Sequence, residues 1–168
     1  ARWVNGEYVI IQLHTDLYCW SLATGETQFK IDTKNVSEMA ISPNGRYLAI
    51  TDSSECFLID VVNAEPIGKI DLGELNGGVL HFSPNGRYLG VCYGKKFRVW
   101  DLPPGKVAAS VTLDSQPGNF LGWVDNASLL TELGGLLRFD PESGEIFQVW
   151  DYWLSLHDVR LVPGGIIG

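Results

Sequence analysis

The chain has 168 residues, 45% of them hydrophobic and only 19% charged, which supplies enough apolar material for a packed core and excludes a disordered segment. The net charge of −8 argues against a nucleic-acid backbone or an anionic membrane surface as partner. No apolar run approaches the ~20 residues that a spanning helix needs.

In chain order, residues 1–4 supply the tail of a strand and Asn5-Gly6 a turn. Strands are then expected at Tyr8 to Leu13, Leu17 to Leu22 and Gln28 to Asp32, the last two joined by Ala23-Thr24-Gly25-Glu26. A short apolar strand leads into Ser42-Pro43-Asn44-Gly45, where Pro fixes φ and Asn-Gly accepts a positive φ. Strands Tyr47 to Thr51, Cys56 to Val61 and Ile67 to Leu72 follow. The same order returns as Tyr88 to Tyr93, Lys96 to Leu102 and Val107 to Leu113, and again as Leu129 to Leu133, Leu136 to Asp140 and Ile146 to Tyr152. His157 to Pro163 reads as one more first strand, and Gly164 to Gly168 starts another second strand.

This order is a repeat. Ser42-Pro43-Asn44-Gly45-Arg46-Tyr47-Leu48 recurs unchanged at Ser83-Pro84-Asn85-Gly86-Arg87-Tyr88-Leu89, 41 residues later. Weaker copies at Asn5-Gly6, at Asp125-Asn126 and at Pro163-Gly164 give turns at intervals of 39, 41, 41 and 38 residues. Four short strands in every ~40 residues, with no helical periodicity, predict an all-β fold: a β-propeller arc of about four four-stranded antiparallel blades. The blades are expected near 1–35, 36–77, 78–117 and 118–153, with the start of a further blade at 154–168, as one propeller segment. Strands that are apolar nearly throughout, such as Tyr8-Val9-Ile10-Ile11, are expected to be covered on both faces. Continuation into a larger ring is favoured over closure of four blades, and a two-sheet sandwich is disfavoured, because it needs no identical turns at a fixed interval.

Phe82-Ser83-Pro84-Asn85-Gly86-Arg87-Tyr88-Leu89, followed by Phe97-Arg98-Val99-Trp100-Asp101, resembles a blade of the WD-repeat β-propellers, whose third strand closes on Trp-Asp. The corresponding ends elsewhere read Trp20-Ser21, Ile59-Asp60 and Phe139-Asp140, while Trp150-Asp151 falls in a fourth strand. The family's Gly-His dipeptide before the first strand is missing from every interval, so the resemblance is to divergent, prokaryote-style members. The hairpins 16–30 and 136–149 also resemble the Thr-Gly-Glu hairpins of quinoprotein-like propellers. The resemblance implies a binding scaffold and further blades of the parent propeller as neighbours.

Chemistry-bearing residues do not converge. His14, His81 and His157 lie in different repeats without Cys, Asp or Glu at ligand spacing, so neither a metal nor another cofactor is expected. No Gly-x-Ser-x-Gly or P-loop pattern occurs, and no catalytic residue is assigned. Cys19, Cys56 and Cys92 fall in strand-like runs as small hydrophobes, with a lean toward an intracellular, soluble protein. Trp20, Trp100 and Trp123 are read as occupying equivalent or near-equivalent strand positions and filling space between blades, and Trp150 and Trp153 as packed against a next blade.

Given the family's geometry, the loops from fourth to first strands and from second to third strands share one rim. The candidate interaction residues there are Asn35, Asp52, Glu55, Glu74, Asn76, Lys95, Gln116, Asn119 and His157. The expected function is a non-catalytic scaffold that holds a protein partner by this rim. The alternatives are the propeller part of an enzyme or quinoprotein-like protein with its active residues in other blades, or a sensor repeat attached to an enzymatic domain.

Overall fold

The computed structural model describes residues 2–4, 7–13, 15–33, 36–52, 55–73, 78–102, 106–112, 120–131, 135–140, 142–150, 160–162 and 165–167. It is all-β. Blade 1 comprises β1 (Arg2–Val4), β2 (Tyr8–Leu13), β3 (Asp16–Ser21) and β4 (Thr27–Asp32). Blade 2 comprises β5 (Val36–Ile41), β6 (Tyr47–Asp52), β7 (Glu55–Asp60) and β8 (Glu65–Asp71). Blade 3 holds β9 (Val79–Phe82), β10 (Tyr88–Tyr93), β11 (Lys96–Asp101) and β12 (Lys106–Thr112). Blade 4 holds β13 (Phe120–Trp123), β14 (Ser128–Thr131), β15 (Gly135–Phe139) and β16 (Ile146–Trp150), and a hairpin of β17 (Arg160–Val162) and β18 (Gly165–Ile167) follows. Each blade is an antiparallel meander in which every strand pairs with its sequence neighbours, so the four blades form an arc of a β-propeller.

The repeated turn has a specific hydrogen-bond circuit. Gly45 N–H donates to Ser42 O at 2.8 Å, and Gly86 N–H to Ser83 O at the same distance. The Ser42 hydroxyl donates to Asn44 Oδ1 (2.7 Å) and accepts from Tyr47 N–H (2.8 Å), and Arg46 N–H donates to the same Asn44 oxygen (3.1 Å). Ser83, Asn85, Arg87 and Tyr88 repeat these bonds at 2.7, 2.9 and 3.0 Å. Only the glycines take the left-handed conformation, Gly45 at φ +70° and Gly86 at +71°; Asn44 and Asn85 act through their side chains instead.

Adjacent turns touch. Asn85 N–H donates to Asn126 Oδ1 at 2.9 Å, and a Cβ on Gly86 would lie 3.5 Å from that of Ser42. At Gly144 (φ +73°) the turn of blade 4 runs so close to β12 that a Cβ would meet Ala108 O at 2.7 Å. Glycine is required there twice over, by conformation and by space.

Among the described residues, three apolar cores lie between sheets. Ile10, Leu17 and Cys19 of blade 1 pack on Leu48, Ile50 and Ile59 of blade 2. Ala49, Leu58, Ile70 and Leu72 of blade 2 meet Leu89, Val91 and Trp100 of blade 3. Phe97, Val99 and Ala109 of blade 3 meet Leu129, Leu137 and Phe139 of blade 4. Blades 1 to 3 also share a β-bulge at one place, between Cys19 and Trp20, Leu58 and Ile59, and Val99 and Trp100, which leaves Gln28, Ile67 and Ala108 unpaired in the outer strands. A bulge there increases the local right-handed twist, which shapes the outer edge of each blade.

Two expectations need correction. Trp20 is 45% exposed and Val9 and Ile11 are only half-buried, so blade 1 is not covered on both faces. Trp100 and Trp123 are buried as expected, but Trp123 belongs to a first strand and is not equivalent to the other two. Trp153 lies outside the described residues, as does the side chain of Trp150.

Candidate functional site

One contact places the rim. Thr33, just past β4, docks its N–H (2.7 Å) and its hydroxyl (2.8 Å) on Thr15 O, in the turn between β2 and β3. The connection leaving a fourth strand and the second-to-third-strand turn therefore share one end of the blade. In blade 2 that end is acidic: Asp52 faces Glu55 across the hairpin, and Glu55 faces Asp71. Lys69 Nζ lies 3.0 Å from Glu55 Oε2 and 4.7 Å from the centre of the Phe57 ring. In blade 3 the same end is basic, with Lys95 exposed in the turn beyond the Tyr93–Lys96 pair and Gly94 at φ +59°.

Of the predicted rim residues, Asp52 and Glu55 are thus brought together and Lys95 stands at the matching turn of the next blade. Asn35, Glu74, Asn76, Gln116, Asn119 and His157 lie outside the described residues, and so does His14. Thr15, Lys69 and Asp71 also belong to the described rim. Thr15 and the turn glycine Gly94 were visible in the sequence as turn positions; Lys69 was not, because it arrives from the middle of an outer strand.

The opposite rim is tied down by ion pairs. Arg87 grips Asp101 through Nε (2.9 Å) and Nη2 (2.8 Å), and Arg46 Nε bonds Asp60 at 3.1 Å. Each guanidinium also lies over the next tyrosine, Arg46 5.4 Å from the Tyr47 ring and Arg87 5.1 Å from Tyr88. The bond from Arg87 holds the Asp101 carboxyl below its ordinary range. At Asp60 burial pushes the carboxyl up, but bonds from Asn63 N–H, Arg46 and Val62 N–H outweigh it and the net shift is downward. Blade 4 departs from this pattern, since Ser128 there pairs with Arg138 where Tyr47 and Tyr88 pair with Asp60 and Asp101. Asp140 keeps the turn-capping role instead, accepting from Glu142 N–H (2.9 Å) and the Ser143 hydroxyl (2.8 Å).

A cleft of about 300 Å³ opens between blades 1 and 2, lined chiefly by Phe29, Ile31, Ile50, Phe57, Ile59 and Pro66, and reaching the rim at Asp32 and Thr33. A small pocket of about 10 Å³ lies between blades 2 and 3, lined by Tyr47, Leu58, Ile67 and Leu102.

Among the described residues no group of three or more His, Cys, Asp or Glu side chains could hold a metal ion. His81 is half-buried in β9, where its carbonyl accepts from Trp123 Nε1 at 3.0 Å. All three cysteines are buried and unpaired, and burial pushes their thiols up to about 11 (Cys19), 12 (Cys56) and 11 (Cys92). Such thiols serve as apolar packing groups.

These features define a repeat protein of the β-propeller class whose described surface offers a rim and a cleft. No family model matches the chain. No curated protein matches it either. Among solved structures it is similar to hydrazine synthase of Kuenenia stuttgartiensis, with 16% identity and a TM-score of 0.60 over 84% of this chain. The chain spans 45% of the length of that structure's chain, and at this identity the likeness shows the fold alone.

Proposed function

We propose that the chain is part of a divergent WD-like propeller and serves as a non-catalytic scaffold that holds a protein partner on the rim carrying Thr15, Asp52, Glu55 and Lys95. The observation behind this reading is the Thr33–Thr15 contact. In blade 1 it holds the start of a fourth-strand connection against a second-to-third-strand turn, while the frame beneath repeats its turn circuit bond for bond in blades 2 and 3. The rim is also divided in charge, acidic at Asp52, Glu55 and Asp71 and basic at Lys95 and Lys96, which suits a partner docked in one orientation. The WD-like part of the reading rests on Trp100-Asp101 closing β11, with Asp101 gripped by Arg87 of the repeated turn.

Charge reversal tests the rim. Glu55→Lys and Lys95→Glu are expected to cut recovery of the bound protein about tenfold in quantitative affinity capture, while Glu142→Lys on the opposite rim leaves it intact. Equal recovery with all three variants would overturn the assignment. A second reading makes the chain the propeller portion of an enzyme; its support is the likeness to hydrazine synthase, which reaches the fold and no residue of a site.

A further inference from the structure

We propose that the cleft between blades 1 and 2 receives an extended segment of a partner protein. The segment pairs with the outer edge of β4 as a fifth strand and sets alternate apolar side chains into the cleft. Thr33 N–H bonds Thr15 O, and these two continue the register in which Ile31 faces Leu17 and Phe29 faces Cys19. Hydrogen-bonded pairs alternate along an antiparallel ladder, so Ile31 and Phe29 turn their amides to β3 while Lys30 and Asp32 turn theirs outward. Side chains alternate too: Phe29 and Ile31 pack toward blade 2 and line the cleft. A strand added beside them places every second side chain between Phe29 and Ile31 on one wall and Phe57 and Pro66 on the other.

The chemistry of the segment follows from the walls. Ile50 and Ile59 make an apolar floor. Asp32 is exposed at the rim end, opposite Asp16, whose charge Lys30 already meets at 2.9 Å. Two apolar residues separated by one, with a basic residue at the rim end, fit that lining. At about 300 Å³ the cleft stands at the lower limit of small-molecule pockets, about 300–1,000 Å³, while the edge of β4 adds main-chain donors and acceptors that a peptide uses. One strained residue keeps the cleft open. Among the described residues Ala64 is the one non-glycine with a left-handed backbone (φ +58°), and it lines the cleft. The matching turns of blades 1 and 4 carry Gly25 and Gly144 at this place. At Gly144 the turn lies so near β12 that a Cβ has no room, so a turn bearing Ala64 does not close on β4 in that way.

Peptide selection tests the cleft without any partner of the rim. A random heptapeptide library is selected on the 168-residue chain, and the enriched sequences are expected to alternate apolar with polar residues and to carry Lys or Arg. One enriched peptide, labelled for fluorescence anisotropy, then serves as the probe. Ala64→Gly is expected to raise the melting temperature, because glycine takes the left-handed backbone freely, and yet to weaken the probe about tenfold. Asp32→Pro removes one outward N–H, leaves the β3–β4 ladder whole, and is expected to weaken the probe up to about tenfold. N-methylation of the alternate probe amides that face β4 abolishes binding, whereas methylation of the other set does not. Lys95→Glu leaves the probe's affinity unchanged, whether or not the rim holds a protein, so the two surfaces are tested apart. Enrichment without the alternation, equal effects of the two methylated sets, or unchanged affinity in both variants would overturn the proposal.

Discussion

Trp20 and Trp100 hold the same register position in β3 and β11, one opposite Val9 and the other opposite Leu89, yet Trp20 is 45% exposed and Trp100 only 1%. The residue and the local strand are alike; the neighbouring blade makes the difference. In the 168-residue chain, Trp100→Ala is therefore expected to destabilise by about 3–5 kcal/mol. Trp20→Ala is expected to cost about 1 kcal/mol or less. Urea unfolding followed by circular dichroism checks both, and equal losses would contradict the blade-by-blade packing.

The turn circuit predicts a second asymmetry. Ser83 is fully buried and both donates to Asn85 and accepts from Tyr88 N–H, so Ser83→Ala strands a buried donor and is expected to cost about 1–3 kcal/mol. Ser143 also donates to a carboxylate, Asp140, and accepts from Glu145 N–H, but both bonds are exposed, and Ser143→Ala is expected to stay within about 0.5 kcal/mol. Thermal unfolding of the two variants decides the matter.

Acid should loosen the rim that carries the ion pairs. The folded-state values of Asp60 and Asp101 lie below the ordinary carboxylate range. Their contribution is thus present above the unfolded value of about 4 and is lost as pH falls through the folded one. The melting temperature is expected to hold from neutral pH down to about pH 5 and to drop below about pH 4. Asp101→Asn should make that drop shallower, and an unchanged acid limb would contradict the assignment.

Thiol chemistry reports on the cores. With Cys19, Cys56 and Cys92 buried and their thiols raised to about 11, 12 and 11, the folded chain is expected to resist a disulfide reagent at pH 8. Unfolding in guanidinium should then release three equivalents at once. A thiol that reacts promptly in the folded chain would show that one inter-blade core opens.

Much of the fold was legible, for identifiable reasons. Tyr8–Leu13 and Tyr88–Tyr93 form strands with the expected bounds, the second ending where Gly94 takes a φ of +59°. The bulges were not legible: Gln28, Ile67 and Ala108 share no residue type, since the extra residue answers to backbone twist. Nor was the slide in blade 4. Its first turn, closed by Val124 N–H on Ser128 O, is one residue shorter than that closed by Ser83 N–H on Tyr88 O, and it puts Arg138 where an Asp was read. The rim was legible only as a place. Repeat period located its loops, but the Thr33–Thr15 contact that joins them is long-range, and the exposure of Trp20 depends on a neighbour that β3 does not encode.

Site-specific photo-crosslinking in cells tests the rim most directly. A photoreactive residue placed at Glu55 or Lys95 is expected to capture the same partner protein, and one placed at Glu142 on the opposite rim is expected to capture none of it. Capture of that partner from Glu142 alone, with nothing from Glu55 or Lys95, would contradict the rim as the binding surface.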